Sequence, residues 1–207
     1  CIVNDDVCRD ASRMEILRRY YTASVEKLRS YGDDTVVKKL ELLMNQAGLS
    51  VEDCPVVSSA LLKAETTGTP AGAMILPDGT LVTGKTSATL GAASALILNA
   101  LKALGNIDEN HDLISSTVLE PICELKTSYL RHKNPRLHTD EILIALSTTA
   151  ARNELAREAM KAIPELKGCE AHSSVILSSV DEQIFRKLGI NLTCEPKYEE
   201  DDRRYHK

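Results

Sequence analysis

Three short runs carry residue types that could do chemistry, and the first has the form of a phosphate loop. Gly79-Thr80-Leu81-Val82-Thr83-Gly84-Lys85-Thr86 fits G-x-x-x-x-G-K-[ST] at every specified position. A working loop coils, so that its backbone N–H groups point at the phosphates. Here the interior residues Thr80-Leu81-Val82-Thr83 are β-formers behind a Pro77-Asp78-Gly79 turn signal, and an extended strand cannot wrap a phosphate. The acid that would hold magnesium is also hard to place, since Asp181 falls past the apolar run Val175-Ile176-Leu177 and inside the next helical pattern. The run does offer a corner between a strand and a helix start. There Lys85, Thr86 and Ser87 would bind an anionic group, helped by free N–H groups at the helix end. The other reading makes Thr86 or Ser87 an N-cap and Lys85 a solvated side chain.

The second run, Asn134-Pro135-Arg136-Leu137-His138-Thr139-Asp140-Glu141, joins two helical patterns. Arg136 would hold an anion while His138 moves protons. Equally, Thr139 would cap the following helix, with Asp140 and Glu141 favouring its positive end. The third run is Cys169-Glu170-Ala171-His172, at the entry to a strand. Glu170 and His172 would form an acid/base pair on one strand face if the strand is regular through Ala171, against a structural histidine as the alternative. Cys169 and His172 with Cys194 or His138 have no paired ligand spacing, so no metal site is assigned. No run encodes a cofactor site.

The bulk of the chain narrows the partners. A net charge of -5 and an aromatic content of 3% argue against nucleic acid, which wants a basic surface and stacking rings. Six scattered cysteines without a CxxC pair suit reduced thiols and a cytoplasmic setting. The apolar stretch 88–104 is interrupted by Thr89, Gly91, Ser94, Asn99 and Lys102, so it reads as a buried helix and not a membrane span. The chain opens on Cys1 and not Met, which reads as a piece of a longer protein.

The elements that must position these residues follow from periodicity. Met14, Leu17, Tyr21, Val25 and Leu28 form one helix stripe, with Ser12 and Glu15 as a capping box and Gly32 as the stop. A second helix turns Val36, Leu40, Leu43 and Ala47 inward; a third begins near Ser50 and ends at Gly68. Beyond Gly68 the pattern predicts strands over 71–76 and 80–83, and a helix over 87–104. Helices over 115–130, 139–151 and 154–163 follow, then a β-α-β unit through 171–177, 181–188 and 190–194. The expected fold class is α/β. A helical subdomain over 1–68 precedes a three-layer α/β/α sandwich with a mixed sheet over 69–196, and a charged, solvated tail covers 197–207. A hairpin feeding a buried helix and a later crossover also resembles the cytidine-deaminase-like topology, without its zinc motif.

The segments 10–21, 76–87, 134–141, 167–173 and 184–191 together resemble a bacterial family of conserved proteins of unknown function, some of whose members carry the label ATP-dependent peptidase. The resemblance runs along essentially the whole chain. It implies that this is the C-terminal portion of a longer protein whose N-terminal half holds a nucleotide-like loop, and that half is then a partner of this region. It supplies no catalytic residues. The leading expectation is a small-molecule site of a larger enzyme. In it Lys85, Thr86, Ser87 and Arg136 bind an anion, and His138 with Glu170 or His172 handles protons. The alternatives are an assembly or packing module, with pairing of two copies open, and a phosphate-loop nucleotide-binding protein.

Overall fold

The computed structural model describes residues 4–30 and 34–199. In order they form α1 (Asp5–Ser30), α2 (Asp34–Gln46), α3 (Pro55–Thr67), β1 (Ala71–Ile75), β2 (Leu81–Lys85), α4 (Ala92–Leu104), α5 (Ser116–Glu124), α6 (Thr139–Ala150), α7 (Glu154–Lys161), β3 (Glu170–Ser173), α8 (Ser179–Lys187) and β4 (Asn191–Cys194). None of these helices is long and apolar enough to cross a membrane. The sheet runs β2-β1-β3-β4. β1 pairs antiparallel with β2 and with β3, whereas β3 and β4 are parallel around α8, as the β-α-β pattern predicts. The fold is therefore a mixed α/β sandwich.

β1, Ala-Gly-Ala-Met-Ile, lies in the middle of the sheet with its first four residues buried, so both of its faces are apolar. Ala73 faces a cluster of Leu17 and Tyr21 from α1 with Val56, Val57 and Ala60 from α3. Met74, one residue on, faces the larger core of Leu96, Ile97 and Leu101 from α4, Ile142 and Leu146 from α6, and Phe185 from α8. Period-two alternation thus divides the helices between two layers.

Three expectations are corrected here. The first helix starts at Asp5, with Asn4 Oδ1 accepting from the N–H groups of Asp6 and Val7. Ser12 then lies inside it, donating to the carbonyl of Cys8, and Glu15 pairs with Arg18 and Arg19, so neither forms a capping box. In α2 the buried residues are Val37 and Met44, while Val36 is 53% and Leu43 46% exposed. Two adjacent apolar stripes competed there, and packing chose the other one. Third, the helix expected over 87–104 begins five residues later, at Ala92. Ser87 Oγ instead accepts from Leu90 N–H at 3.0 Å, closing a turn, and Leu90 bridges to Leu137. Gly32 lies outside the described residues.

Candidate functional site

Both glycines of the phosphate-loop pattern serve the hairpin and its cover. Gly79 has φ +86°, a left-handed conformation that the Leu76–Thr80 turn requires and that side-chain-bearing residues rarely adopt. Gly84 sits where α4 crosses β2. A Cβ there would stand 2.2 Å from Leu96 N and 2.5 Å from Leu96 Cα. The four residues between the two glycines form the turn and most of β2, and Thr86 N–H is spent on Pro70 O. The segment is a hairpin and not a loop that could coil around phosphate.

The residues after it still reach a site. The 134–138 segment lies beside the start of α4: Leu137 N–H donates to Thr89 O at 2.8 Å, and Ser94 Oγ donates to Leu137 O at 2.8 Å. This lateral pairing sets Arg136 and His138 against the helix end. A pocket of about 190 Å³ opens there, lined by Thr86, Ala92, Ala93, Arg136, His138 and Asp181, among others. It sits outside the carboxyl end of β3, where crevices form in α/β sheets.

One wall is rich in unused donors. Gly91 offers no side chain to cap α4, and the N–H groups of buried Ala92 and Ala93 find no acceptor among the described residues. A buried helix start without partners is unusual, because orphan N–H groups normally find a cap or water. Thr86 is 6% exposed, and its hydroxyl likewise has no partner among the described residues.

The other wall holds an Asp–His pair. Asp181 is buried on the first turn of α8. Its Oδ1 accepts from Thr139 N–H at 2.8 Å and from Thr139 Oγ1 at 2.7 Å, and its Oδ2 accepts from Ser178 Oγ at 2.7 Å. His138 Nδ1 lies 3.0 Å from that Oδ2. An ionised carboxylate only accepts, so the proton is assigned to Nδ1, and Nε2 has no partner among the described residues. Burial by itself would raise the Asp181 carboxyl, but His138 and Thr139 outweigh it and hold it below its ordinary value. The bond to Asp181 raises His138 above the usual imidazole range, against the opposing pull of burial.

A buried lysine braces this wall. Lys126, 3% exposed, donates to Arg136 O at 2.7 Å and to Glu141 Oε2 at 2.8 Å. Glu141 in turn accepts from His138 N–H at 2.7 Å. Lys126 lies on a wide helical turn, Leu125–Tyr129, that continues α5 past Pro121. Nothing in the local pattern marks it as buried.

The structure thus brings together Thr86, Arg136 and His138 and separates the rest. Lys85 and Ser87 are exposed and do not line the pocket. Glu170 and His172 do share a strand face, but it is the face under α1. There Arg18 Nη1 and Asn191 Nδ2 hold Glu170 Oε1. His172 is fully buried, edge-on to Tyr21 at 4.7 Å, with Nδ1 2.8 Å from Thr193 Oγ1. Its Nε2 is 3.2 Å from Glu195 Oε1 but off the line of a good hydrogen bond. His138 therefore has Asp181 as its partner and not Glu170 or His172. Cys169 packs in the α4-side core, so it shares no cluster with His172.

Three pocket residues escaped the sequence reading: Ser178, Asp181 in this role, and Glu199. Ser178 followed by Asp181 three residues on is a helix-start signature that could have been read as a cap. Glu199 belongs to the expected solvated tail, yet Tyr198 packs near Val25 and Ile176, and Glu199 Oε1 meets Arg136 Nη1 at 2.6 Å. Residues 200–207 lie outside the described residues.

The protein is a mixed α/β sandwich with a polar pocket at the end of its parallel strand pair. The chain belongs to the family described as "Domain of unknown function DUF1846, C-terminal", which matches residues 52–204. Residues 1–48 match the companion description, "Domain of unknown function DUF1846, N-terminal". Similar bacterial relatives include a UPF0371 protein of Corynebacterium efficiens, 52% identical over 96% of this chain and 40% of that protein. Another, from Corynebacterium aurimucosum, is 49% identical over 100% of this chain and 42% of that protein. A third, from Streptococcus uberis, is 47% identical over 97% and 40%. The chain spans about two fifths of the length of these relatives.

Proposed function

We propose that this region supplies a small-anion site with acid–base capability to a larger bacterial protein. The observation that carries it is that unused donors line one pocket: the Ala92 and Ala93 N–H groups and the hydroxyl of the largely buried Thr86. Arg136 adds further N–H donors, its charge shared with Glu199, and the α4 dipole favours a negative group at its N-terminus. Held by Asp181, His138 offers Nε2 as a stronger base than free imidazole; once protonated it becomes a second cation facing the ligand. The pocket is smaller than those that hold drug-sized molecules, which run from about 300 Å³ upward, so the ligand is small. Inorganic phosphate or propionate is expected to shift the His138 ring resonances in an NMR titration, with the His138 signal assigned by a His138→Gln variant. Thr86→Val should weaken that binding about five- to tenfold, the loss of one hydrogen bond to a charged ligand. Shifts absent with both anions, or unchanged by Thr86→Val, would end this reading.

A second role has its own observation. Val36 and Leu43, seven residues apart and so on one stripe of α2, are both about half exposed. α1 and α2 match the N-terminal family description, and most of the relatives' length lies outside this chain. We therefore assign this stripe to packing against the remainder of the N-terminal unit in the longer protein. Left open, such a stripe should drive self-association of the 207-residue chain in sedimentation, reduced by Leu43→Lys. A chain that stays monomeric at all concentrations would count against it.

A further inference from the structure

We infer that the ligand of this pocket is a small zwitterion, an α-amino acid or close analogue, and not a simple anion. This rests on the reading of the pocket as an anion site. The argument turns on Glu199. Its carboxylate lines the same pocket as the α4 start, with Oε1 on Arg136 Nη1 at 2.6 Å and Oε2 without a partner among the described residues. The side chain is 19% exposed, so it is held against the pocket and not trailing in solvent.

One small cavity is thus lined both by unused donors and by an unengaged acceptor. The Ala92 and Ala93 N–H groups and the Thr86 hydroxyl can all donate to a ligand carboxylate. Glu199 Oε2 adds an unengaged acceptor to a lining whose other carboxylate, Asp181, is spent on Thr139, Ser178 and His138. A simple anion entering here would share the cavity with the Glu199 carboxylate and be repelled by it, to the extent that Arg136 on Oε1 leaves its charge uncompensated. A ligand carrying an ammonium group beside its carboxylate turns that repulsion into a charge-assisted hydrogen bond. The cavity, about 190 Å³, is of a size that suits a small amino acid better than a nucleotide.

The sign of a Glu199 effect separates the two cases. The probes are L-alanine, propionate (the same skeleton without the ammonium) and inorganic phosphate, each titrated calorimetrically into the 207-residue chain. L-Alanine should bind about tenfold more tightly than propionate, the worth of one charge-assisted contact. Glu199→Gln should weaken L-alanine about tenfold and leave propionate unchanged or tighter. Thr86→Val should weaken both, showing that they share the donor wall, and a thermal melt of each variant confirms that it is folded. Equal affinities for L-alanine and propionate would overturn the inference, as would a Glu199→Gln chain that binds both more tightly. In those outcomes the anion site stands, with Glu199 as an internal competitor. Binding of none of the three probes would remove the anion site as well.

Discussion

Gly84→Ala is expected to cost the protein about 3 kcal/mol or more, at the upper end of what overpacking does. The added methyl would stand 2.2 Å from Leu96 N, 2.5 Å from Leu96 Cα and 2.7 Å from the Ala95 carbonyl carbon. All three are backbone atoms of α4, so no side chain can swing aside to make room. α4 carries Leu96, Ile97 and Leu101 of the main core, and lifting it would loosen that whole layer. Urea denaturation gives the free energy directly. The result also bears on how the G-x-x-x-x-G-K-T run is understood. If Gly84 existed to bring a phosphate close, alanine would spare stability and remove nucleotide binding. A large stability loss is the outcome that helix-on-strand contact demands, and a variant as stable as the parent would contradict it.

Asp181→Asn is expected to destabilise the fold by about 2–4 kcal/mol and to change its pH dependence. The buried carboxylate accepts from Thr139 twice, from Ser178 and from His138, and an amide cannot accept all four. Its hydrogen bond to the ring, together with its charge, also raises His138. A group whose value rises on folding stabilises most below its unfolded value, ordinarily 6.5, and loses that contribution as pH climbs through the folded value. Asp181, lowered on folding, contributes above its ordinary 3.8 and loses it as pH falls through the folded value. The pair therefore stabilises most between about pH 4 and pH 6.5. In the Asn variant the decline in stability above that window should flatten, and an NMR titration should return His138 to or below the ordinary imidazole value. An unchanged His138 titration would show that Asp181 does not hold the ring.

Much of the architecture was legible in the residues. The β-α-β unit around α8, the hairpin and the helices over 139–150 and 154–161 came from periodicity and turn chemistry, which act within a few residues. The start of α4 was not legible, because Ser87 and Ala92 are both acceptable helix openings. Tertiary pairing of Leu90 with Leu137 held 87–91 out of the helix. The stripe of α2 failed for a related reason: Val36-Val37 and Leu43-Met44 each offer two apolar neighbours, and only contact with α1 selects between them.

The candidate site divides along the same line. Thr86, Arg136 and His138 could be named as candidates from the residues alone, since Thr86 follows a strand and Arg136 and His138 share one short loop between helices, but the Ala92 and Ala93 N–H groups could not, because they depend on where α4 starts. Which of them meet depends on how the chain packs. His138 found Asp181 43 residues away, and Arg136 found Glu199 63 residues away. Glu170 and His172 were turned to the opposite face of the sheet, beneath α1. Backbone propensity acts over neighbouring residues, whereas a site of this kind depends on which strand ends and helix starts the sheet order places at one edge of the sandwich.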